Sequence, residues 1–245
     1  MELGPGTAVE GANLSDVDFA DRDLAGAAFS DCLLRDVQLS NSCLQDARFT
    51  RCRLIRCRFA HADLRDGLFE QCSFADDEGH VGVQFAFSQL DQARFRRSDL
   101  SFARIDRSTL YGAEFETCNL RGASFHKADF SRSFGRKQIL WAGALKGCVL
   151  ELADLSDLKM PGCDLNSSNF REAILFDADL EGADLRRADL TMASMTAARL
   201  ARADLRGADL AGLNLKHIAS HDGLMISADQ QHALLSAMGL DIYAE

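Results

Sequence analysis

The chain has 245 residues and a formal net charge of −10. That is long enough for one large domain or an elongated repeat array, and acidic enough to disfavour direct contact with a nucleic-acid backbone. It holds 16 Phe against 2 Tyr, 1 Trp and 2 Pro, an aromatic mix unusual in an enzyme, and no run of 18 apolar residues, which excludes a membrane-spanning helix.

The opening stretch, MELGPGTAVEGANL, has neither the basic nor the apolar segment of a signal peptide, so a cytoplasmic protein is expected. Residues 1–11 read as an N-terminal tail. The charge is unevenly placed along the chain: −6 over residues 1–50, zero over 51–100, +4 over 101–150, −5 over 151–200 and −3 over 201–245.

From Leu14 a large apolar residue falls at every fifth position. The beat runs for 13 units to Phe74, for 10 units from Phe85 to Phe130, and for 14 units from Leu150 to Leu215. All 37 anchors are Leu, Phe, Ile or Met. Two residues before the anchor the chain holds Ala, Cys, Ser, Val or Gly in 34 of the 37 units, the exceptions being Arg22, Leu158 and Leu213. The residue just before the anchor is often Asp, Asn or Arg.

No straight element carries this pattern. On a helix five residues turn about 500°, so successive anchors drift by roughly 140°. On a flat strand an odd spacing throws alternate anchors to opposite faces. The chain must therefore turn a corner in every unit, and four units, twenty residues, close one square coil. The stretch from Leu14 to Leu215 gives about ten coils, a rod ~48 Å long at ~4.8 Å per stacked strand.

Seven of the eight cysteines (Cys32, Cys52, Cys57, Cys72, Cys118, Cys148 and Cys163) occupy the small inward slot, and only Cys43 does not. They read as compact buried side chains rather than metal ligands. No nucleophile elbow, phosphate loop, dinucleotide fingerprint or glycine-rich calcium nonapeptide is present, so neither a catalytic residue nor a cofactor is expected.

Two interruptions break the beat. In SFADDEGHVGVQF the anchors Phe74 and Phe85 stand eleven residues apart instead of ten. This reads as a one-residue bulge, or as a short loop over 75–82 that exposes Asp76, Asp77, Glu78 and His80, with Gly82 joining two coil segments. In SRSFGRKQILWAGALKG the small slot fails. A loop over 131–142 is expected to present Phe134, Arg136, Lys137 and Trp141, the only tryptophan. The organisation is thus 12–74 and 83–215 as two segments of one rod, and 216–245 as a closing segment. In that segment Ser227 and Gln230 form a capping box, Gly239 is a stop, and Leu234, Leu235, Met238, Leu240 and Ile242 offer an apolar surface that a two-fold dimer would bury.

The run ADLEGADLRRADL at 178–190 is similar to the pentapeptide-repeat pattern A-[DN]-[LF]-x-x. The chain resembles that family over about 12–215, which implies an all-β solenoid, a right-handed quadrilateral β-helix with a short C-terminal α-helix. Within the family it resembles the Qnr-type quinolone-resistance group in three features: the slip before Gly82, the interruption between Phe130 and Leu150, and the tail DQQHALLSAMGLDIY. It departs from the group in its extra early coils, in Arg22, and in the identities of the loop residues.

The resemblance implies a non-enzymatic DNA mimic that binds DNA gyrase, and topoisomerase IV as a further target, through the two loops. It also implies dimerisation through the terminal segment. An end-to-end dimer ~100 Å long would carry twice −10 charges against about 60 phosphates on an equal duplex, so shape and local acidity must outweigh total charge. Two other readings stand beside it: a scaffold for another protein partner, and an immunity factor against a different gyrase poison.

Overall fold

A computed structural model of the chain describes residues 3–76, 81–135, 138–241 and 243. It is a right-handed β-helix of square section in which every fifth side chain points inward. Face one stacks Val9, Phe29, Phe49, Phe69, Phe95 and Phe115 through parallel in-register strands. Face two carries Leu14, Leu34, Leu54 and Phe74, face three Phe19, Leu39, Phe59 and Phe85, and face four Leu24, Leu44, Leu64 and Leu90, all buried.

The corner is built by three repeated features. The residue two past the anchor takes a left-handed backbone, as at Asp21 (φ 58) and Arg51 (φ 52). The next N–H donates back to the anchor carbonyl, as Ala27 to Leu24 at 3.0 Å. The Asp or Asn before the anchor accepts from the N–H two residues on, as Asp18 from Ala20 and Asp189 from Thr191. Asp is therefore frequent before the anchor because its carboxylate satisfies a corner N–H that faces no strand.

Inside, five phenylalanines of face one form a continuous stack, with ring centroids 4.8, 5.1, 4.7 and 4.7 Å apart from Phe29 to Phe115. The small slots of face two hold Cys32, Cys52, Cys72, Ser98, Cys118, Cys148 and Ser168 in register. Each thiol or hydroxyl donates to an anchor carbonyl one coil below, as Cys52 Sγ to the Phe29 carbonyl and Cys72 Sγ to the Phe49 carbonyl, both at 3.3 Å. A small donor fits this slot and meets an acceptor that alanine would leave bare. Burial pushes the thiols of Cys57 and Cys163 up to about 12.

The structure alters three expectations. The first coil begins before residue 12, because Ala8–Glu10 already pairs with Ala28–Ser30 and both Leu3 and Val9 are buried. Val9 is a smaller anchor than those that follow, and Gly4 leaves the preceding anchor position empty, so the beat is silent there while the backbone still coils. Arg22 does not interrupt the coil, since its carbonyl accepts from Cys43 N–H at 2.9 Å.

The first interruption is not a bulge of one residue. Arg58 pairs with Gln84, 26 positions on, so six residues leave the coil at one corner while the flanking strands stay in register. The last coil also extends past Leu215. Arg199 pairs with Ser220 and Asp204 with Met225, each 21 positions on, the extra residue being taken up by a 3-10 turn at Leu215–His217.

The end of the rod is closed by the segment from Ser227. Gln230, nearly buried, donates from Nε2 to the carbonyls of Leu205 and Ala208, both at 2.7 Å, and accepts from Ser227 N–H at 2.7 Å. A short helix, α1 (Gln231–Ala237), follows, with Gly239 past its end at φ +82. Lys216 Nζ donates to the Met238 carbonyl at 2.6 Å, satisfying a carbonyl exposed at the helix terminus.

Candidate protein-interaction site

The second interruption is an antiparallel arm. Ser131–Phe134 pairs with Gln138–Trp141, Ser131 opposite Trp141 and Phe134 opposite Gln138. Its base is fixed by Ser131 N–H on Asp129 Oδ1 at 2.8 Å and by Ala142 N–H on the Phe130 carbonyl at 3.1 Å. Gly143 lets the chain re-enter the coil, because a Cβ there would overlap the Phe130 ring. Glu116 pairs with Lys146, 30 positions on, so the arm adds ten residues, two whole units, to one coil.

The arm exposes apolar side chains on both faces. Phe134 (47% exposed) and Leu140 (41%) lie on one, Ile139 (52%) and Trp141 (36%) on the other. On the Phe134 face, the Arg132 guanidinium sits 5.6 Å from the Tyr111 ring centre and 5.9 Å from that of Phe134, and the two rings meet edge to face at 6.1 Å. This cluster holds the arm against the preceding coil. Ile139 and Trp141 roof a notch whose floor includes Lys127, Asp157 and Lys159. Sequence reasoning found Phe134 and Trp141 but missed Ile139, Leu140, Arg132 and Tyr111. The expected Arg136 and Lys137 lie outside the described residues.

The first loop leaves the corner between faces two and three, whereas the arm leaves the corner between faces four and one. They stand on diagonally opposite corners, two and a half coils or ~12 Å apart along the axis. The two sets of expected contact residues therefore do not form one surface. Asp76 N–H donates to the Val81 carbonyl at 3.2 Å, closing the loop, and Val81 is exposed. Asp77, Glu78 and His80 lie outside the described residues.

At the terminal segment, Leu234 is removed from the expected dimer contacts. It is 3% exposed because it plugs the open end of the last coil. Leu235 and Leu240 are exposed and Met238 is partly covered, while Ile242 lies outside the described residues.

Most ion pairs of the C-terminal half lie on faces one and four, Asp184 with Arg186, Asp204 with Arg206, and Asp179 and Glu181 with Arg199, while face two adds Arg121 with Glu151 and Arg171 with Glu172. These hydrogen bonds hold the Asp184 and Asp204 carboxyls below their usual value. On faces two and three, Asp157, Asp177, Asp189 and Asp209 have no ion-pair partner among the described residues. These four unpaired carboxylates form an acidic strip along one side of the rod. Among the described residues no group of His, Cys, Asp and Glu is placed to hold a metal ion, and no helix is long and apolar enough to cross a membrane.

Two family models match the chain. The pentapeptide repeat region matches residues 6–78, and the pentapeptide repeats model matches 81–116, 98–134 and 173–212, together more than half of the sequence. No curated protein matches it by sequence. Among solved structures it is similar to full-length QnrB1, a plasmid-mediated fluoroquinolone resistance protein, with a TM-score of 0.73 and 23% identity over 98% of this chain and 99% of that one. It is also similar to HetL from the cyanobacterium Nostoc sp., a pentapeptide repeat protein involved in heterocyst differentiation regulation, with a TM-score of 0.62 and 21% identity over 89% of this chain and 82% of that one.

Proposed function

Because the chain belongs to the pentapeptide-repeat family, we propose that it is a non-enzymatic protein that binds a type II topoisomerase, DNA gyrase and also topoisomerase IV, and protects it from quinolone-type inhibitors. The observation that carries this reading is the end-to-end overlay on QnrB1, a fluoroquinolone resistance protein, at a TM-score of 0.73.

The arm supports it. Four exposed apolar side chains held out from a rigid wall are a poor arrangement in water and a good one against a partner. In this reading Phe134, Ile139, Leu140 and Trp141 contact the enzyme near its drug-bound cleavage site, and the Asp76 corner gives a separate contact. The acidic strip meets the cationic surface where DNA would lie, and Leu235, Met238 and Leu240 join two copies end to end.

The test is gyrase supercoiling with ciprofloxacin present, titrating the protein from nanomolar to tens of micromolar beside a variant lacking 132–141. Rescue at low concentration, lost in the variant, is the expected result. Inhibition at high concentration without any rescue would mean simple competition with DNA and would refute protection.

HetL, with the same fold and a role in heterocyst differentiation regulation, favours a second reading as a scaffold for another protein, since fold alone does not fix function. A pull-down that recovers other proteins and no gyrase subunit would move that reading first.

A further inference from the structure

Along the corner after face three, Arg107, Lys127, Asp157 and Asp177 occupy the same left-handed position in four successive coils, with φ between 55 and 60. Their order is fixed by the bridges Arg104 to Ser124, Ser124 to Asp154 and Asp154 to Ile174. All four side chains are exposed, Lys127 and Asp157 at the mouth of the notch beside Ile139 and Trp141, so the arm of each copy borders the centre of the row, and none of the four has an ion-pair partner among the described residues. The corner therefore reads plus, plus, minus, minus at steps of ~4.8 Å.

Such a row is self-complementary. If a second copy lies antiparallel against face three, the two-fold axis runs across the face, and each corner column meets its own counterpart in reverse order. An axis midway between Lys127 and Asp157 sets Lys127 against Asp157 of the second copy and Arg107 against Asp177 of the second copy, with both contacts repeated by symmetry.

The opposite corner of the same face agrees without further adjustment. There Val81 (44% exposed) lies at the level of Phe85, two and a half steps from the axis, and Met192 (63% exposed) lies the same distance on the other side. The operation that matches the charges thus also places Val81 on Met192 of the second copy.

We infer that face three is a self-docking surface through which two copies associate side by side and antiparallel, register being set by the Arg107–Lys127–Asp157–Asp177 row. Arg107 is already positioned for this, lying over the Phe87 ring at 5.4 Å. The local sign change matters because each copy carries −10 overall and would otherwise repel the other. The inference is independent of the topoisomerase reading and of contact through the terminal segment.

The test is Arg107→Cys with Asp177→Cys in a Cys43→Ser background, oxidised and run without reductant. Within one chain the two positions are three coils or ~14 Å apart, beyond the ~7 Å that a disulfide spans, so only the antiparallel pair can join them. The expected product migrates at twice the 26.8 kDa chain and is absent from either single-cysteine control. In a second measurement Asp177→Arg abolishes side-by-side association by sedimentation, and adding Arg107→Asp restores it. A folded double-cysteine variant that stays at chain mass, equal cross-linking by the single controls, or an Asp177→Arg variant that associates as the parent does would each overturn the inference.

Discussion

Gly82 passes under Phe102 so closely that no side chain fits between them: a Cβ on Gly82 would overlap the Phe102 carbonyl and come within 2.5 Å of the Ala103 nitrogen. The chain returns from the first loop at this point and must lie against the next coil's backbone at once. Gly82→Ala is therefore expected to lower stability by about 1–3 kcal/mol, the usual cost of overpacking against atoms that cannot move aside. Gly135→Ala, at the open turn of the arm, meets nothing within 4 Å and suffers only from its φ of +72, about 1–2 kcal/mol confined to the arm. Because the Gly135 strain can be relieved by opening the arm alone, the urea midpoint of the rod should fall for Gly82→Ala and stay near the parent's for Gly135→Ala, and a Gly135→Ala shift as large as that of Gly82→Ala would contradict this assignment.

The two interruptions also explain what could be read in advance. Six extra residues leave a remainder of one against a period of five, so the first loop announces itself as a slip between Phe74 and Phe85. Ten extra residues leave no remainder, and the arm shows only as slots filled by the wrong residues, which pointed to Phe134 and Trp141 but hid Ile139 and Leu140 as ordinary apolar positions. Val9 and Gly4 hid the first coil because a parallel strand needs an inward side chain on most rungs, not on all. Which of Leu234 and Leu235 faces the rod depends on how α1 lies across the last coil, and the charge sum over 151–245 cannot say that its unpaired carboxylates share one side.

Phase gives the second prediction. Removing 132–141 returns the coil to twenty residues, so Leu145 still stacks on Phe115, and removing 75–80 does the same for Phe85 on Phe59. Both deletions should keep β circular dichroism and cooperative melting. Removing nine or eleven residues from the arm instead turns every later anchor out of the core, and such variants should be insoluble or molten. Equal folding by the nine- and ten-residue deletions would mean that phase is not enforced.

At the closed end, the Gln230 side chain satisfies two carbonyls of the last coil and the Ser227 N–H at once. Gln230→Ala leaves these groups buried and unpaired, a cost of about 2–4 kcal/mol. Because coils exchange nearest-neighbour contacts, the loss should appear as fraying of the C-terminal coils first. Hydrogen exchange should accelerate at Leu205 and Met225 while amides around Phe49 stay protected. Uniform acceleration along the rod would argue against a local cap.

Acid should weaken the rod through its paired aspartates. The Arg186 and Arg206 hydrogen bonds lower the folded-state values of Asp184 and Asp204 below the usual 3.8. A lowered value means stability that is present above pH 3.8 and disappears as the pH falls through the folded value. The arginines are half exposed, so the effect is small. The melting temperature of Asp204→Asn should lie slightly below that of the parent at pH 7, with the gap closing below pH 3.8. A gap that persists at pH 2 would assign it to packing.

The cysteine column gives the last prediction. Cys52, Cys72, Cys118 and Cys148 share their slot with Ser98 and Ser168, and every member donates to an anchor carbonyl. What the slot selects is a small side chain with a donor, not a thiol. Cys72→Ser keeps the donor and should shift the urea midpoint little, whereas Cys72→Val adds a branch, removes the donor and should cost about 1–3 kcal/mol. Native thiol labelling should then report one reactive group of eight, Cys43, the only cysteine that is not buried. The other seven should react only as the coils open, at a rate that follows unfolding. Rapid native labelling of Cys52 or Cys118 would show that the column is accessible and that the slot serves thiol chemistry after all.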